Sequence, residues 1–251
     1  MKIKNNTVLI TGGASGIGFS LAEALVKSGN TVIICGRRQA KLEEAKRKLS
    51  EIYVRTCDIS KEAERKALFN WVKENFKDFN ILVNNAGIQR MVDLKRGIRD
   101  LVMGESEIKT NLAAPIYLSA YFVPLLMKQK EAAIINVSSG LAFVPIASMP
   151  VYCATKAAVH SFTMSLRHQL KDTSIKVFEI VPPTVDTELG KGSVEEEEEA
   201  WNRGIPPAEV AKAAINSLGK DEYEIVVGEA QGLVRNSRTN PEKIFQSLNE
   251  W

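Results

Sequence analysis

Short runs of β-branched and other apolar residues alternate along the chain with longer stretches of helical periodicity, and this alternation limits the fold more than any other feature. The runs stand at residues 7–11, 31–35, 52–57, 81–83, 133–137, 175–181 and 224–227. Polar residues seldom alternate with apolar ones inside them, which is typical of strands covered on both faces. Buried strands separated by helices predict the α/β class, with a doubly wound parallel sheet.

Length and composition limit the remaining choices. The 251 residues are 45% hydrophobic and 25% charged, as in ordinary globular proteins. Lys and Arg number 33 against 30 for Asp and Glu, a balance that does not favour a nucleic-acid partner. Three widely spaced cysteines indicate neither disulfides nor a metal site, and no leader or membrane-spanning stretch is recognisable. We expect one cytoplasmic domain over residues 1–251, with no membrane partner.

Residues 188–207 differ in character from the rest of the chain. Five consecutive glutamates, Glu195–Glu199, are followed by Pro206 and Pro207. We interpret this segment as a substrate lid rather than a linker between two domains. The glutamates form either a solvated run of like charge or a group at the pocket mouth that disfavours anionic substrates.

A glycine-rich turn follows the first predicted strand. Residues 12–18 read Gly-Gly-Ala-Ser-Gly-Ile-Gly, and a helical pattern begins inside them. Glycines let the backbone approach a pyrophosphate closely, and the helix N-terminus supplies unpaired N–H groups. The spacing differs from the common GxGxxG, and a purely structural turn is the alternative. The strand before the turn and the helix after it favour a Rossmann-like dinucleotide site.

The end of the second predicted strand bears on the choice of dinucleotide. An acidic residue there would bind the adenosine 2′-hydroxyl, but residues 35–38 contain none. Arg37 and Arg38 stand there instead, and guanidinium groups suit a 2′-phosphate. We therefore expect NADP rather than NAD. The alternative is that both arginines simply begin a solvated helix.

One tyrosine is followed by a lysine at the fourth position, namely Tyr152 and Lys156. Residues i and i+4 share a helix face, so the two side chains should point together. A nearby ammonium lowers the pKa of a phenol and makes it a better acid–base group near neutral pH. Alone, such a pair is more often an ordinary surface contact.

Polar residues at two strand ends strengthen the functional interpretation. Asn84-Asn85-Ala86-Gly87 follows one predicted strand, and Ser138-Ser139-Gly140 follows another. In open α/β sheets, ligands bind beyond the carboxyl ends of strands, where a hydroxyl can reach a substrate oxygen. Asn111 lies in an apolar helical stretch, where a purely local partner is the alternative.

Together these residues resemble the short-chain dehydrogenase/reductase family over about residues 5–190. The resemblance rests on the segments 11–18 and 84–87 and on single residues in family order, namely Asp58, Asn111, Ser139, Tyr152 and Lys156. A narrower resemblance, to the DltE-type oxidoreductases of Gram-positive bacteria, rests on residues 5–12 and 151–156.

The resemblance implies a role for each polar residue of the site. Tyr152 would exchange a proton with the carbonyl or alcohol oxygen, and Lys156 would lower the pKa of Tyr152 and hold the nicotinamide ribose. Ser139 would bind the substrate oxygen, with Ser138 as its weaker rival. Asn111 would anchor a water that relays protons to Lys156. The implied catalytic residues are therefore Asn111, Ser139, Tyr152 and Lys156.

The expected cofactor-binding residues come from several loops. They are Gly12, Ser15, Gly16, Ile17 and Gly18 around the phosphates; Arg37 and Arg38 at the 2′-phosphate; Asp58 and Ile59 at adenine; Asn85, Ala86 and Gly87 at the adenosine ribose; Tyr152 and Lys156 at the nicotinamide ribose; and Pro182, Val185 and Thr187 at the carboxamide. One position departs from the family, because Pro183 replaces a usual glycine and cannot adopt a positive φ. We expect this change to shift the carboxamide contacts without abolishing binding.

Two function hypotheses follow. The first is an NADP-dependent oxidoreductase that interconverts a carbonyl and an alcohol on a small molecule, acting as a homodimer or homotetramer. The alternative is a dinucleotide-binding regulator with little turnover. His160 and His168 share a helix face; a surface or subunit-interface role is favoured over a proton relay. Cys153 is interpreted as a small buried residue.

Overall fold

The computed structural model describes residues 1–102, 106–189 and 204–250. Seven parallel strands form one sheet in the order β3-β2-β1-β4-β5-β6-β7. The strands are β1 Thr7–Thr11, β2 Thr31–Gly36, β3 Tyr53–Thr56, β4 Phe79–Asn84, β5 Ala132–Val137, β6 Ile175–Val181 and β7 Glu224–Val226. The sheet confirms the predicted doubly wound α/β fold in a single domain.

Helices cover both faces of the sheet. They are α1 Gly16–Lys27, α2 Gln39–Lys48, α3 Glu62–Asn75, α4 Arg99–Val102, α5 Ala114–Leu126, α6 Pro150–Gln169, α7 Pro207–Gly219, α8 Ala230–Thr239 and α9 Pro241–Asn249. Two 3₁₀ turns, Leu94–Arg96 and Gly140–Ala142, and a π-helical turn, Ile108–Ala113, complete the described elements.

Two apolar layers sandwich the sheet, because strand side chains alternate between its faces. One layer joins residues of β1 and β2, such as Val8 and Ile34, to α1, α2 and α7. The other joins their strand neighbours, such as Leu9 and Ile33, to α3, α5 and α6. Burial of every residue in β1 and β5 explains the near-continuous apolar runs in the sequence.

The strand order reverses between β1 and β4, since β2 lies on one side of β1 and β4 on the other. Such a switch point opens a crevice at the carboxyl ends of the strands. The glycine turn after β1 and the polar segments after β4 and β5 all lie at this edge.

The predicted lid at 188–207 is described only at its two ends. Residues 190–203, including Glu195–Glu199, lie outside the described residues. At the far end Ile205 forms a parallel bridge with Val185, and Pro207 begins α7. Among the described helices, none is long and apolar enough to cross a membrane.

Candidate active site

The turn between β1 and α1 forms a backbone cradle. Gly12 and Gly16 adopt φ values of +65° and +53°, which side chains with a Cβ rarely tolerate. A Cβ on Gly18 would lie 2.3 Å from the carbonyl oxygen of Gly12, so the start of α1 packs directly on the turn. Ser15 caps α1 without a side-chain hydrogen bond, and the first turn of the helix carries no acidic residue. The positive end of the α1 dipole is therefore left for an external anion.

The loop after β4 is fixed to this cradle by hydrogen bonds. The Thr11 hydroxyl accepts from the backbone N–H groups of Asn85 (3.0 Å) and Ala86 (3.1 Å). The Asn85 amide donates to the carbonyl oxygens of Thr11 (2.9 Å) and Gly12 (3.2 Å). The Asn85 side chain thus joins the two loops. The sequence predicted a ribose contact for Asn85 but not this structural role.

The arginines after β2 lie at the expected end of the crevice. Arg38 Nη2 donates to Glu188 Oε2 at 2.8 Å and lies 3.5 Å from Ser15 Oγ. Lys41 Nζ lies 3.0 Å from the other oxygen of Glu188. Hydrogen bonds from Lys41 and Arg38 hold the pKa of the Glu188 carboxyl below its usual value. The Glu188 carboxylate therefore bridges two cations beside the backbone cradle, and Lys41 and Glu188 both line a cavity of ≈ 310 Å³ there.

Asp58 and Ile59 follow β3 at the same edge. Asp58 Oδ1 accepts from the backbone N–H (3.0 Å) and the hydroxyl (2.7 Å) of Ser60. Burial raises the pKa of Asp58, but these hydrogen bonds and the nearby charges of Arg37 and Lys61 outweigh burial and keep it below its usual value. Asp58 is thus a fixed hydrogen-bond acceptor, and its contact with adenine stays a prediction.

Ser139, rather than Ser138, faces the predicted catalytic tyrosine. The Ser138 hydroxyl donates to the carbonyl oxygen of Ile180 at 3.4 Å. Ser139 caps the 3₁₀ turn after β5, and its hydroxyl accepts from the N–H of Leu141 at 3.1 Å. The Ser139 side chain also lies near Tyr152 and lowers the pKa of its hydroxyl. The binding of a substrate oxygen by Ser139 rather than Ser138 stays a prediction.

Tyr152 and Lys156 lie on α6 and are both buried, each with 5% of the residue exposed. Lys156 Nζ lies 5.7 Å from the centre of the Tyr152 ring and donates to the carbonyl oxygen of Val137 at 2.8 Å. Burial lowers the pKa of Lys156 to about 8. Burial also raises the pKa of Tyr152, and hydrogen bonding with Ser139 opposes this effect. Here burial, rather than Lys156, dominates the pKa of Tyr152, in the direction opposite to that expected from the sequence.

Asn111 lies in the π-helical turn before α5, a geometry often found at functional sites. Its Oδ1 accepts from the N–H of Ile88, and its Nδ2 donates to the carbonyl oxygen of Ile88, both at 2.8 Å. Nδ2 also lies 3.2 Å from Thr155 Oγ1 on α6. A Cβ on Gly87 would lie 3.6 Å from both Asn111 Oδ1 and Lys156 Nζ, which shows how closely these groups meet. The amide of Asn111 therefore fixes the loop after β4; its role in holding a water stays a prediction.

The segment after β6 lies beside the glycine turn that follows β1. A Cβ on Gly16 would lie 2.9 Å from the Thr187 side chain, so this segment contacts the phosphate cradle. Asp186 N–H donates to Ile205 at 3.0 Å, and Ile205 N–H donates to Thr184 at 3.0 Å. Pro183 sits beside Gly228, 3.6 Å from where a Cβ on that glycine would lie.

Sequence analysis missed a buried carboxylate near the tyrosine. Glu107 precedes the π-helical turn and accepts from the backbone N–H of Arg90 at 3.1 Å. Its other oxygen lies 3.8 Å from Arg90 Nε and has no hydrogen-bond partner among the described residues. Burial raises the pKa of Glu107, and its charge raises the pKa of Tyr152 and Cys153. The flanking sequence offers no signal, since Glu107 resembles any surface glutamate.

A parallel sheet with a glycine cradle after β1 and a buried tyrosine–lysine pair beyond β5 defines a dinucleotide-binding type of α/β oxidoreductase. Residues 6–198 match the family model described as short chain dehydrogenase. The uncharacterized oxidoreductase DltE of Bacillus subtilis is 47% identical over 249 residues, 99% of this chain and 98% of that protein. The chain therefore belongs to the short-chain dehydrogenase/reductase family and is a DltE-type oxidoreductase, as its sequence predicted.

Solved structures agree with this assignment. A short-chain dehydrogenase from Burkholderia cenocepacia, in complex with NADP, is 25% identical and superposes with a TM-score of 0.81 over 99% of each chain. Another family member, from Burkholderia phymatum in complex with NAD, has a TM-score of 0.83 at 21% identity and covers 100% of this chain and 98% of that one. At that identity the second comparison supports the fold alone.

Proposed function

We propose that the protein is an NADP-dependent oxidoreductase that interconverts a carbonyl and an alcohol on a small molecule. The observation that carries the proposal is the meeting of Ser139, Tyr152 and Lys156 at the carboxyl edge of the sheet, beside a phosphate cradle. The relative from Burkholderia cenocepacia, crystallised with NADP, supports the choice of a nicotinamide dinucleotide.

The cradle fits such a cofactor. The backbone of Gly12, Ser15 and Ile17 would hold the phosphates at the open N-terminus of α1. Asp58 and Ile59 would meet the adenine, and Ala86 and Gly87 the adenosine ribose. Pro182, Val185 and Thr187 would lie at the nicotinamide carboxamide, with Gly16 and Gly18 keeping that side of the cradle free of side chains.

The cationic end of the crevice supports NADP over NAD. No acidic residue occupies positions 35–38, and Arg38 already holds a carboxylate through its guanidinium group. A 2′-phosphate would make charge-assisted hydrogen bonds in the same place. Arg37, whose charge reaches Asp58, would flank the adenosine from the other side.

In reduction the nicotinamide would supply the hydride and the protein the proton; in oxidation the nicotinamide would take up the hydride and the protein the proton. Ser139 would hold the substrate oxygen beside the Tyr152 hydroxyl, which gives up a proton in reduction and takes one in oxidation. The charge of Lys156 would stabilise the tyrosinate that forms. Such proton transfer contributes about 10²–10⁴ in rate, and fixed positioning adds to it.

Exposed residues on α5 and α6 support a homodimer or homotetramer. Tyr117 on α5 and Met164 on α6 are 52% and 49% exposed. Burying both against a second subunit would remove apolar surface from water. Light scattering on the purified protein tests the oligomeric state, and a single species at 27.7 kDa, the mass of one chain, would refute the proposed oligomer. A cytoplasmic location stays a prediction from the cysteine content.

The first test is titration of the purified protein with NADPH and NADH, followed by nicotinamide fluorescence. We expect tighter binding of NADPH, and an Arg38→Ala variant should lose that preference, while Arg47→Ala on the far end of α2 should keep it. Tighter NADH binding would overturn the choice of NADP. Binding of neither would remove the proposed function altogether.

The second test is turnover of a panel of aldehydes and ketones with the preferred cofactor. Tyr152→Phe should bind NADPH as the parent does but lose activity by at least 10²-fold. Tyr53→Phe, which alters an exposed tyrosine on β3, is the matched control and should keep full activity. Parent-like turnover by Tyr152→Phe would show that another group transfers the proton. Cofactor binding without turnover of any carbonyl would favour the regulator.

A further inference from the structure

A hydrogen-bonded histidine–glutamate pair lies between strand β6 and α6, the helix that carries Tyr152 and Lys156. Glu179 is in the middle of β6, paired with Asn136 of β5 and Glu224 of β7, and it is completely buried. His160 Nδ1 on α6 lies 2.9 and 3.1 Å from the two carboxylate oxygens of Glu179. The pair therefore joins strand β6, next to the edge strand β7, to α6.

The helical spacing brings this pair next to the predicted catalytic residues. Tyr152, Lys156 and His160 follow one another at four-residue intervals, so they share one face of α6. Lys156 reaches the carbonyl oxygen of Val137, and Val137 pairs with Ile180, the residue after Glu179. The negative charge of Glu179 acts on Lys156 and raises its pKa, against the larger effect of burial.

A buried carboxylate without a compensating charge is costly, so the protonation of His160 matters. Hydrogen bonding to Glu179 raises the pKa of His160 above its usual value, with burial opposing it, so the contact favours the charged imidazolium. The other charged groups facing the pair are Glu224 on β7 and Arg238 on α8, which lie 3.6 Å from each other. The Phe143 ring covers the imidazole, with ring centres 4.5 Å apart.

We propose that the His160–Glu179 pair is a positioning device that sets the electrostatic environment of Lys156 from inside the fold. Glu179 favours the ammonium form of Lys156, and the imidazolium of His160 offsets that effect. Neither residue touches the reacting atoms in this proposal. The inference rests on the proposed function only for the role of Lys156 in proton transfer. The effect of the two charges on Lys156 can be measured whether or not the protein turns over a substrate.

The two members of the pair should move the pKa of Lys156 in opposite directions. Glu179→Gln removes a nearby negative charge, which destabilises the ammonium and lowers the pKa of Lys156. His160→Gln keeps a side chain able to donate a hydrogen bond but removes the positive charge, so Glu179 acts uncompensated and the pKa of Lys156 rises. We expect about half a pH unit or more in each case. The double variant should return close to the parent, since both charges are gone.

The experiment is an NMR titration of protein labelled with ¹³C at the ε carbon of lysine, with the Lys156 signal assigned from a Lys156→Arg variant. The parent, the two single variants and the double variant are compared between pH 6 and 11. His168→Gln, an exposed histidine eight residues along the same helix, is the matched control and should leave the signal unmoved. Shifts in the same direction for both single variants, or none in either, would overturn the proposal.

The parent alone provides a second measurement if a variant does not fold. Its Lys156 signal should show a further inflection at the pH where the ¹³Cε1 signal of His160 titrates, and absence of that inflection also counts against the proposal. Because neither titration uses a substrate, opposite shifts without any turnover would refute the proposed function and leave this inference standing. Turnover together with an unmoved Lys156 signal would refute this inference and leave the proposed function standing.

Discussion

Replacing the buried lysine of the site should stabilise the protein at neutral pH. The structure lowers the pKa of Lys156 from 10.5 to about 8, mainly because burial penalises its ammonium. That lowering corresponds to about 3 kcal/mol of unfolding free energy. Lys156→Met keeps the aliphatic stem and removes the charge, but it also loses the hydrogen bond to Val137, a contribution of about 1 kcal/mol. We therefore expect Lys156→Met to be about 2 kcal/mol more stable than the parent at pH 7.

The sign of this effect changes with pH in a defined window. Below about 8 the lysine is protonated in both states, and the folded state bears the full cost of burying its charge. Between about 8 and 10.5 the folded state loses the proton first, so the unfolded state binds more protons and stability rises with pH. The advantage of Lys156→Met should therefore shrink through this window. At its upper end only the lost hydrogen bond to Val137 remains, which leaves the variant about 1 kcal/mol less stable than the parent.

The measurement is urea unfolding of both proteins at pH 7 and pH 10, at one protein concentration so that any subunit association is held constant. The difference between the two proteins isolates Lys156 from the other groups that titrate in this range. Lys171→Met, at an exposed lysine after α6, is the control and should show no pH-dependent difference from the parent. A difference between parent and Lys156→Met that is the same at both pH values would refute the reasoning.

Three further outcomes are expected. Gly18→Ala should lower the unfolding free energy by about 1–3 kcal/mol in thermal denaturation and weaken dinucleotide binding, because its Cβ would lie 2.3 Å from a backbone carbonyl of the phosphate cradle. Glu188→Gln should tighten NADPH binding about two- to fivefold by calorimetry, with NADH unchanged, since it releases Arg38 from an exposed ion pair. Glu107→Gln removes a charge that raises the pKa of Tyr152, so the alkaline limb of the pH–rate profile should move to lower pH; a limb that does not move refutes that coupling.

The fold and the shared helix face of Tyr152 and Lys156 were predictable because they depend on local periodicity. The buried runs defined the strands, and the four-residue interval was enough to place Tyr152 and Lys156 on one helix face. The chain end was less predictable. Residues after 228 form α8 and α9, which pack on the turn after β5 and on each other, and the sequence analysis predicted neither helix.

Groups whose partners are distant in sequence could not be predicted. The sequence pattern predicted that Asn85 contacts a ligand. Its side-chain amide instead donates to the carbonyl oxygen of Thr11, 74 residues earlier in the chain. Glu179 stands inside an apolar strand, and its partner His160 lies 19 residues earlier on another element. Each contact exists only once the sheet has assembled, so no local pattern records it.

The site therefore depends on the surrounding sheet for more than position. An ammonium and a carboxylate, those of Lys156 and Glu179, are held in an environment that penalises both charges. A loop would relax to let water reach them, but strands β5 and β6 are buried along almost their whole length and cannot do so without losing core contacts. Apolar burial in the sheet thus offsets the cost of excluding water from these groups. Without water the local dielectric is low, so the two charges act more strongly on each other. The same argument explains why removing the charge of Lys156 should raise stability while it abolishes the proposed proton transfer.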